Sequence, residues 1–498
     1  MRFHFVVALF LLCQLSIAQS VSGKIVDAGT GESISYANIL LDNSQNLMSN
    51  LEGSFTVPAA STDDSTITIS FLGYRSQSLT VRQLKERNLV VKLDPGVFEL
   101  DEVSVSSQKP DPYRIMAEVN KNMDRNYKTD GRARKRTLFY RESSAFKPID
   151  LNVEITESTA RKGDKLKADN AQLKALTNSF LRQPPKEYSD LLCNYYTSIG
   201  KKDDKPFYQM KLEVLKAVKL KNENQATTMD DMEKLGKEFL FQHLDSTKFY
   251  RAKSGIIGSH DTISFANNRK NKQPRQVDIT KNALYSFMLQ NSLYKNTRMD
   301  FITNPDIYEY TYEGAAYSGE NEFVYVISFK PDSRKAKYTG KLYISDTDYA
   351  VVRTDYTLAE GKKVSGFNLK FLFGVKNAEN VSNGTIIYRK NPADSHYYLQ
   401  YASRENGQYI YVNRPLKFIE LTNGDKSSVA FDLKVEGDLL NKSELLTISD
   451  TDTSPAAIES MKESEFKYVT LPRYDPNIWK DYGGIEPLEE MKRFKAVN

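Results

Sequence analysis

Cysteine is nearly missing from this chain: there are two in 498 residues. One of them, Cys13, lies in an N-terminal apolar run, so the rest of the chain holds only Cys193. A disulfide framework is therefore excluded, and stability has to come from packed cores. Tryptophan occurs once and histidine four times, which leaves little material for a histidine-ligated metal centre. Proline (17) and glycine (24) are sparse, and that excludes collagen-like and wholly disordered chains. An excess of charge is also missing, since 69 Lys and Arg against 64 Asp and Glu leave only +5. Such a balance argues against a nucleic-acid partner. No run is apolar over the roughly 20 residues that a membrane-spanning helix requires. What the chain does have is 30 Tyr and 25 Phe, aromatic residues that suit strands.

Residues 1–18 read as a secretory signal. Arg2 supplies a positive start, Phe5 to Cys13 is an unbroken apolar run, and Ser16-Ile17-Ala18 offers small residues for cleavage. The residue before Cys13 is Leu12, where a lipid-attachment box takes Gly, Ala or Ser, so cleavage after Ala18 is expected instead of lipidation. The expected location is the periplasm or the periplasmic face of the outer membrane.

Residues 20–95 are short apolar runs separated by turn residues, the pattern of an all-β sandwich. Within them stand Gly23-Lys24-Ile25-Val26-Asp27, Thr30-Gly31-Glu32-Ser33-Ile34, Ala37-Asn38-Ile39, Asn50-Leu51-Glu52-Gly53-Ser54-Phe55 and Ile69-Ser70-Phe71-Leu72-Gly73-Tyr74. In this order the five motifs resemble the carboxypeptidase regulatory-like domain of exported Bacteroidota proteins. Ser33 replaces the usual proline and Glu52 the usual Asp. The resemblance implies a seven-stranded prealbumin-like sandwich that is accessory and non-catalytic. Leu100 to Val105 is similar to the segment that follows this module in SusC-type transporters, and a linker or sandwich-edge strand is the alternative reading. The length left after Val105 is too short for a transporter barrel.

The linker is placed at 96–112, with Asp111 and Pro112 starting a helix. Residues 113–445 form the second domain. Helices are expected near Ile115 to Met123, from Thr228 to Leu240 and from Ile279 to Gln290, and the stretch 160–225 also reads as mostly helical. From about 307 the period changes to two, as in an antiparallel meander with one buried and one wet face. The fold expected is therefore an all-β sandwich followed by an α+β domain with a curved antiparallel sheet and packed helices. The hairpin Tyr338 to Val352 resembles the curved sheets of LolA-type lipoprotein carriers. In that likeness Phe367, Leu369, Phe371 and Phe373 line one face of a strand and are candidate partner- or lipid-contacting residues. Residues 446–498 form an extended tail, whose Trp479 and Tyr482 are further candidates. The tail is similar to the ending of uncharacterised Bacteroidota proteins that carry the same first domain.

The catalytic search is brief. His243 has no second metal ligand at helical spacing. Ser259-His260-Asp261 spells triad letters, but neighbours in a strand point to opposite faces. There is no Gly-x-Ser-x-Gly, no His-Glu-x-x-His and no phosphate-cradling loop. Asp346/Asp348 and Asp450/Asp452 read as turn formers, and Cys193 as a small buried hydrophobe. The basic runs 132–136 and 269–275 suit anionic headgroups or an acidic partner, with a solvated loop as the alternative. The expectation is a non-enzymatic protein without cofactor or metal. It binds an outer-membrane or periplasmic protein complex, with a TonB-dependent transporter or an assembly machinery as examples. The alternatives are a lipid or lipoprotein carrier with an apolar concavity and a hydrolase built from distant residues.

Overall fold

The computed structural model describes residues 20–98, 109–128, 131–202, 205–221, 229–255, 257–258, 262–264, 274–317, 323–391, 394–421, 426–479, 482 and 484–494. The expected signal, the segment Leu100 to Val105, the Ser259-His260-Asp261 triplet and most of the run 269–275 lie outside these residues.

The N-terminal domain comprises β1 (Val21–Asp27), β2 (Asn38–Leu41), β3 (Gln45–Met48), β4 (Ser54–Val57), β5 (Thr66–Ser70), β6 (Gln77–Thr80), α1 (Val81–Glu86) and β7 (Val90–Leu93). They form a three-stranded sheet, β4-β1-β7, facing a four-stranded one, β3-β2-β5-β6. The strands alternate as a sandwich requires. Ile67 and Ile69 of β5 face Ile25, Ile39, Leu47 and Phe55 in one core. Tyr74 and Asp27 come from separate sequence motifs and meet here. The Tyr74 hydroxyl donates to the Asp27 carboxylate at 2.8 Å, and that carboxylate also accepts from the Gly29 and Thr30 amides. The Thr30 amide, ahead of the Tyr74 hydroxyl, holds the Asp27 carboxyl below its usual range.

A short strand, β8 (Val97–Phe98), leaves the sandwich and pairs with the second domain. Next come α2 (Pro112–Lys121), capped by Asp111 with Pro112 at its first position, and α3 (Met123–Tyr127). They are followed by β9 (Arg134–Ser158), α4 (Asp164–Arg182), β10 (Lys186–Lys202), β11 (Lys205–Leu220) and α5 (Met229–His243). Among its described residues the stretch expected to be mostly helical thus has one helix and two long strands. The short β12 (Phe249–Ser254), β13 (Ile257–Gly258) and β14 (Ile263–Ser264) precede α6 (Gln276–Gln290) and α7 (Asp300–Thr303). The meander then runs through β15 (Tyr308–Tyr317), β16 (Phe323–Pro331), β17 (Tyr338–Ser345), β18 (Val351–Leu358), β19 (Ser365–Leu369), α8 (Lys370–Phe373), β20 (Val375–Lys390), β21 (Tyr397–Glu420) and β22 (Ser428–Asp452). The tail holds α9 (Pro455–Ser460), β23 (Val469–Leu471) and α10 (Glu489–Lys492). Because β22 continues to Asp452, the sheet passes the boundary expected at residue 445.

One large sheet results, in the order β23-β11-β10-β9-β22-β21-β20-β18-β17-β16-β15-β8. It is mixed, because β23 lies parallel to β11. The β9–β11 block, made early in the chain, docks beside β22, the last long strand. Register shifts along β20 and β22 bend the sheet.

Both faces of the sheet centre are covered, contrary to the expectation of one wet face. On one face the row Tyr140, Leu445, Ala402, Ile386, Thr354, Leu342 and Ile327 lies toward the helices. Leu284 and Phe287 of α6 pack there beside Tyr140, and Ile115, Met116 and Val119 of α2 and Phe301 of α7 pack beside Leu342 and Ile327. On the other face the row Phe139, Leu446, Tyr401, Ile387, Arg353 and Tyr343 receives the sandwich. Tyr36 lies tilted against Tyr401 with ring centroids 5.2 Å apart, and the Arg353 guanidinium lies 4.9 Å from the Phe71 ring.

Candidate functional site

Below the docked sandwich the same sheet face turns polar. The first polar rung is Asp190, Arg141, Glu444, Ser403, Thr385, Asp355 and Lys341, crossing β10, β9, β22, β21, β20, β18 and β17 in register. The next is Tyr188, Ser143, Lys442, Glu405, Asn383, Thr357 and Thr339 on the same strands. A third begins Lys186, Ala145, Leu440 and Gly407. Successive side chains of a strand alternate between faces, so residues two apart on each strand share this surface. The rungs floor a cavity of about 640 Å³. Tyr36 and Leu51 of the sandwich wall it on one side, and Leu488, Glu490 and Met491 of the tail on another.

Most of the charges in the floor are paired. Arg141 is buried and forks onto Asp190 at 2.7 and 2.8 Å. Burial works against its charge, but Asp190 outweighs that and holds the guanidinium above its ordinary pKa. Glu444 accepts from the Tyr401 hydroxyl at 2.9 Å and pairs with Lys442 at 3.2 Å. Desolvation pulls the Lys442 ammonium down, and Glu444 and Tyr36 more than restore it. Asp355 takes Arg353 at 2.8 Å and the Thr385 hydroxyl at 2.7 Å. Glu405 accepts from Asn383 at 3.1 Å. Lys186 pairs with Glu490 of the tail, while burial and the neighbouring Lys147 push its pKa down. Gly384 has a steric reason to lack a side chain: a Cβ there would lie 2.6 Å from the Ser403 carbonyl and 2.7 Å from the Tyr356 hydroxyl.

The tail completes the walls. Met48 and Ile485 bridge as parallel neighbours, and Asn50 Nδ2 donates to the Pro487 carbonyl at 3.2 Å. Glu486 accepts from the Thr56 hydroxyl and pairs with Lys492 at 2.9 Å. Trp479 sits edge-on to Phe139 at 5.5 Å, and Lys216 lies 5.4 Å over the Trp479 ring and 5.2 Å over that of Tyr482. Trp479 is thus half-buried against its own sheet, whereas Tyr482 stays exposed.

The other candidates fall elsewhere. Phe367 and Leu369 are exposed on β19, which ends before Phe371; Phe371 is exposed in α8 and Phe373 is half-buried beside Arg414. The strand face expected through Phe373 therefore stops at Leu369. None of these four lines the polar cavity. Cys193 is fully buried, and burial pushes its thiol pKa up. The arginines of the basic run 132–136 are paired locally. Arg134 pairs with Asp450 at 2.9 Å and Asp452 at 2.7 Å, Arg136 with Asp450 at 3.2 Å, and Arg132 with Asp394. It is neither an open cationic patch nor a solvated loop, because Arg134 and Arg136 lie within β9. Asp348 is a buried hub that accepts from Tyr397 and Lys390. Among the described residues no group of three His, Cys, Asp or Glu side chains converges as a metal site does.

One constellation escaped the sequence reading. His243 Nδ1 lies 2.9 Å from Ser158 Oγ, its Nε2 lies 3.5 Å from Asp169, and Arg161 forks onto Asp169 at 2.6 and 2.7 Å. The three residues spell a serine triad, but the arrangement differs from one that works. Ser158, His243 and Asp169 are all buried, and Ser158 Oγ already accepts from the Arg161 amide at 3.2 Å. An attacking hydroxyl has to face a substrate; this one faces the interior, where it ties β9 to α5. Desolvation lowers the His243 pKa, so the ring is neutral near pH 7.

The geometry defines a sandwich domain docked on one face of a large curved mixed sheet, beside a polar cleft. Residues 21–105 match the CarboxypepD_reg-like domain family, so the sandwich is a carboxypeptidase regulatory-like domain. No curated protein matches the chain.

Proposed function

We propose that the chain is a non-enzymatic cell-envelope protein that binds an outer-membrane or periplasmic protein complex. In this reading the cleft between sandwich, sheet and tail seats an extended polar segment of the partner. The observation that carries it is the floor, where rungs of Ser, Thr, Asn and paired charges cross seven strands under walls supplied by both ends of the chain. Hydroxyl and amide side chains suit the alternating donors and acceptors of an extended backbone. The floor also carries both signs of charge, which suits a polar peptide and penalises an acyl chain. That disfavours a lipid carrier using this cleft. The signal-like residues 1–18 and the regulatory-like sandwich support an exported accessory role.

The test is affinity capture of the tagged protein from detergent-solubilised envelopes, beside Ser143→Trp and Thr357→Trp, which place an indole in the cleft. An envelope protein recovered with the parent and lost with both variants is the expected result. Recovery of no membrane protein, or equal recovery by all three, overturns the proposal. So does turnover by the purified protein that a single acid or imidazole substitution abolishes.

A further inference from the structure

We infer that the tip formed by β19 and α8, residues 359–376, is a membrane-docking element whose apolar end enters the headgroup region of an anionic bilayer. β19 is exposed along its whole length. Beyond it Phe371 is 98% and Leu372 69% exposed, following Phe367 at 53% and Leu369 at 39%. Exposed apolar side chains are ordinary when scattered singly; four within one short hairpin need something to cover them.

The charges around the tip say what does. Residues 359–376 hold four lysines and one glutamate, and among the described residues none of Lys362, Lys363, Lys370 and Lys376 joins a salt bridge. The Lys370 and Lys376 ammoniums rest over the rings of Tyr411 and Tyr409, at 3.8 and 4.7 Å. These contacts keep both charges at the base of the tip without neutralising them. An apolar point with a cationic collar complements an anionic lipid surface, because phenylalanine and leucine leave water as the ammoniums reach phosphate. A second copy of the chain would bring two lysine collars together, which the like charges oppose. The shape is held by the backbone: Gly374 ends α8 at a φ of +63°, and a Cβ there would lie 2.2 Å from the Asn413 carbonyl. The inference stands apart from the cleft, and a cleft that bound nothing would leave it intact.

The test uses the full chain carrying Phe371→Trp, with Leu372→Trp as a second reporter, each read as the difference from the parent. An indole at the tip reports the tip alone, whatever residues 5–13 do. With vesicles of equal parts phosphatidylcholine and phosphatidylglycerol, the added emission is expected to shift to shorter wavelength and to be quenched by brominated acyl chains. With phosphatidylcholine alone it is expected to stay put. Combining Lys363→Glu with Lys370→Glu should weaken binding by about tenfold or more. Three results would overturn the inference: no shift on anionic vesicles, an equal shift on neutral ones, or a shift without vesicles that grows with protein concentration. The last would assign the tip to a second copy.

Discussion

In the sandwich the parallel pairing joins residues 66 apart, as Lys24 to Val90, whereas β9 and β22 of the large sheet pair Arg134 with Asp452. The sandwich encloses a core of its own, in which Ile25, Ile39, Phe55, Ile67 and Val91 are all fully buried. The sheet buries its centre only when α2, α6 and α7 come to one face and the sandwich and tail to the other. The two regions thus differ in how local their contacts are, and local contacts form at a smaller loop-closure cost. Labour is divided accordingly: the sandwich is a ready-made lid, and the sheet is a platform completed last.

The largest effect is expected on removing a partner from the floor. Arg141→Met leaves Asp190 buried without its cation and should cost about 3–5 kcal/mol in urea-monitored unfolding. A loss below about 1 kcal/mol would mean that water already reaches the pair. Next in size is Ile67→Ala in the sandwich core, at about 3 kcal/mol. Hydrogen exchange should place that loosening in residues 20–98 and leave β9–β11 protected; spread through the sheet would show that the two regions unfold as one. Thr80→Ala removes the capping box in which Thr80 Oγ1 accepts from the Gln83 amide and Gln83 Oε1 from the Thr80 amide. It should cost about 1 kcal/mol, again confined to the sandwich.

The last prediction has a direction and concerns the sheet alone. His243 has its folded pKa below the ordinary 6.5, so the unfolded chain binds the proton more readily. Its contribution is fully present above about pH 6.5 and is lost as the pH falls from there toward the lower folded value. Thermal midpoints between pH 7.5 and 5.5 should fall more for the parent than for His243→Gln; equal slopes would remove the histidine from the account.

Much of the fold was legible. The alternation of Thr66–Ser70, the turn at Asp27 to Gly31, the Asp111-Pro112 helix start and the hairpin around Asp346 all rest on neighbours in sequence, and all appear in the structure. Residues 186–220 were misread for a physical reason. Leu191, Leu192, Cys193 and Tyr195 are buried on both faces of β10, so the period of two that betrays a half-wet strand is missing. The candidate site was illegible for another reason. Arg141, Asp355, Ser403 and Glu444 share one rung but are spread over some 300 residues, and no spacing rule links them.

Composition and local pattern determined that this chain holds itself together without disulfides, begins with a small sandwich and continues in long strands, because backbone sterics and side-chain period act over a few residues. Which strand lies beside which, where the sandwich lands, and that a polar cleft opens under it were decided by tertiary structure. Covering both faces of a curved sheet brings the sandwich and the tail together, and the groups that then meet are unrelated in sequence.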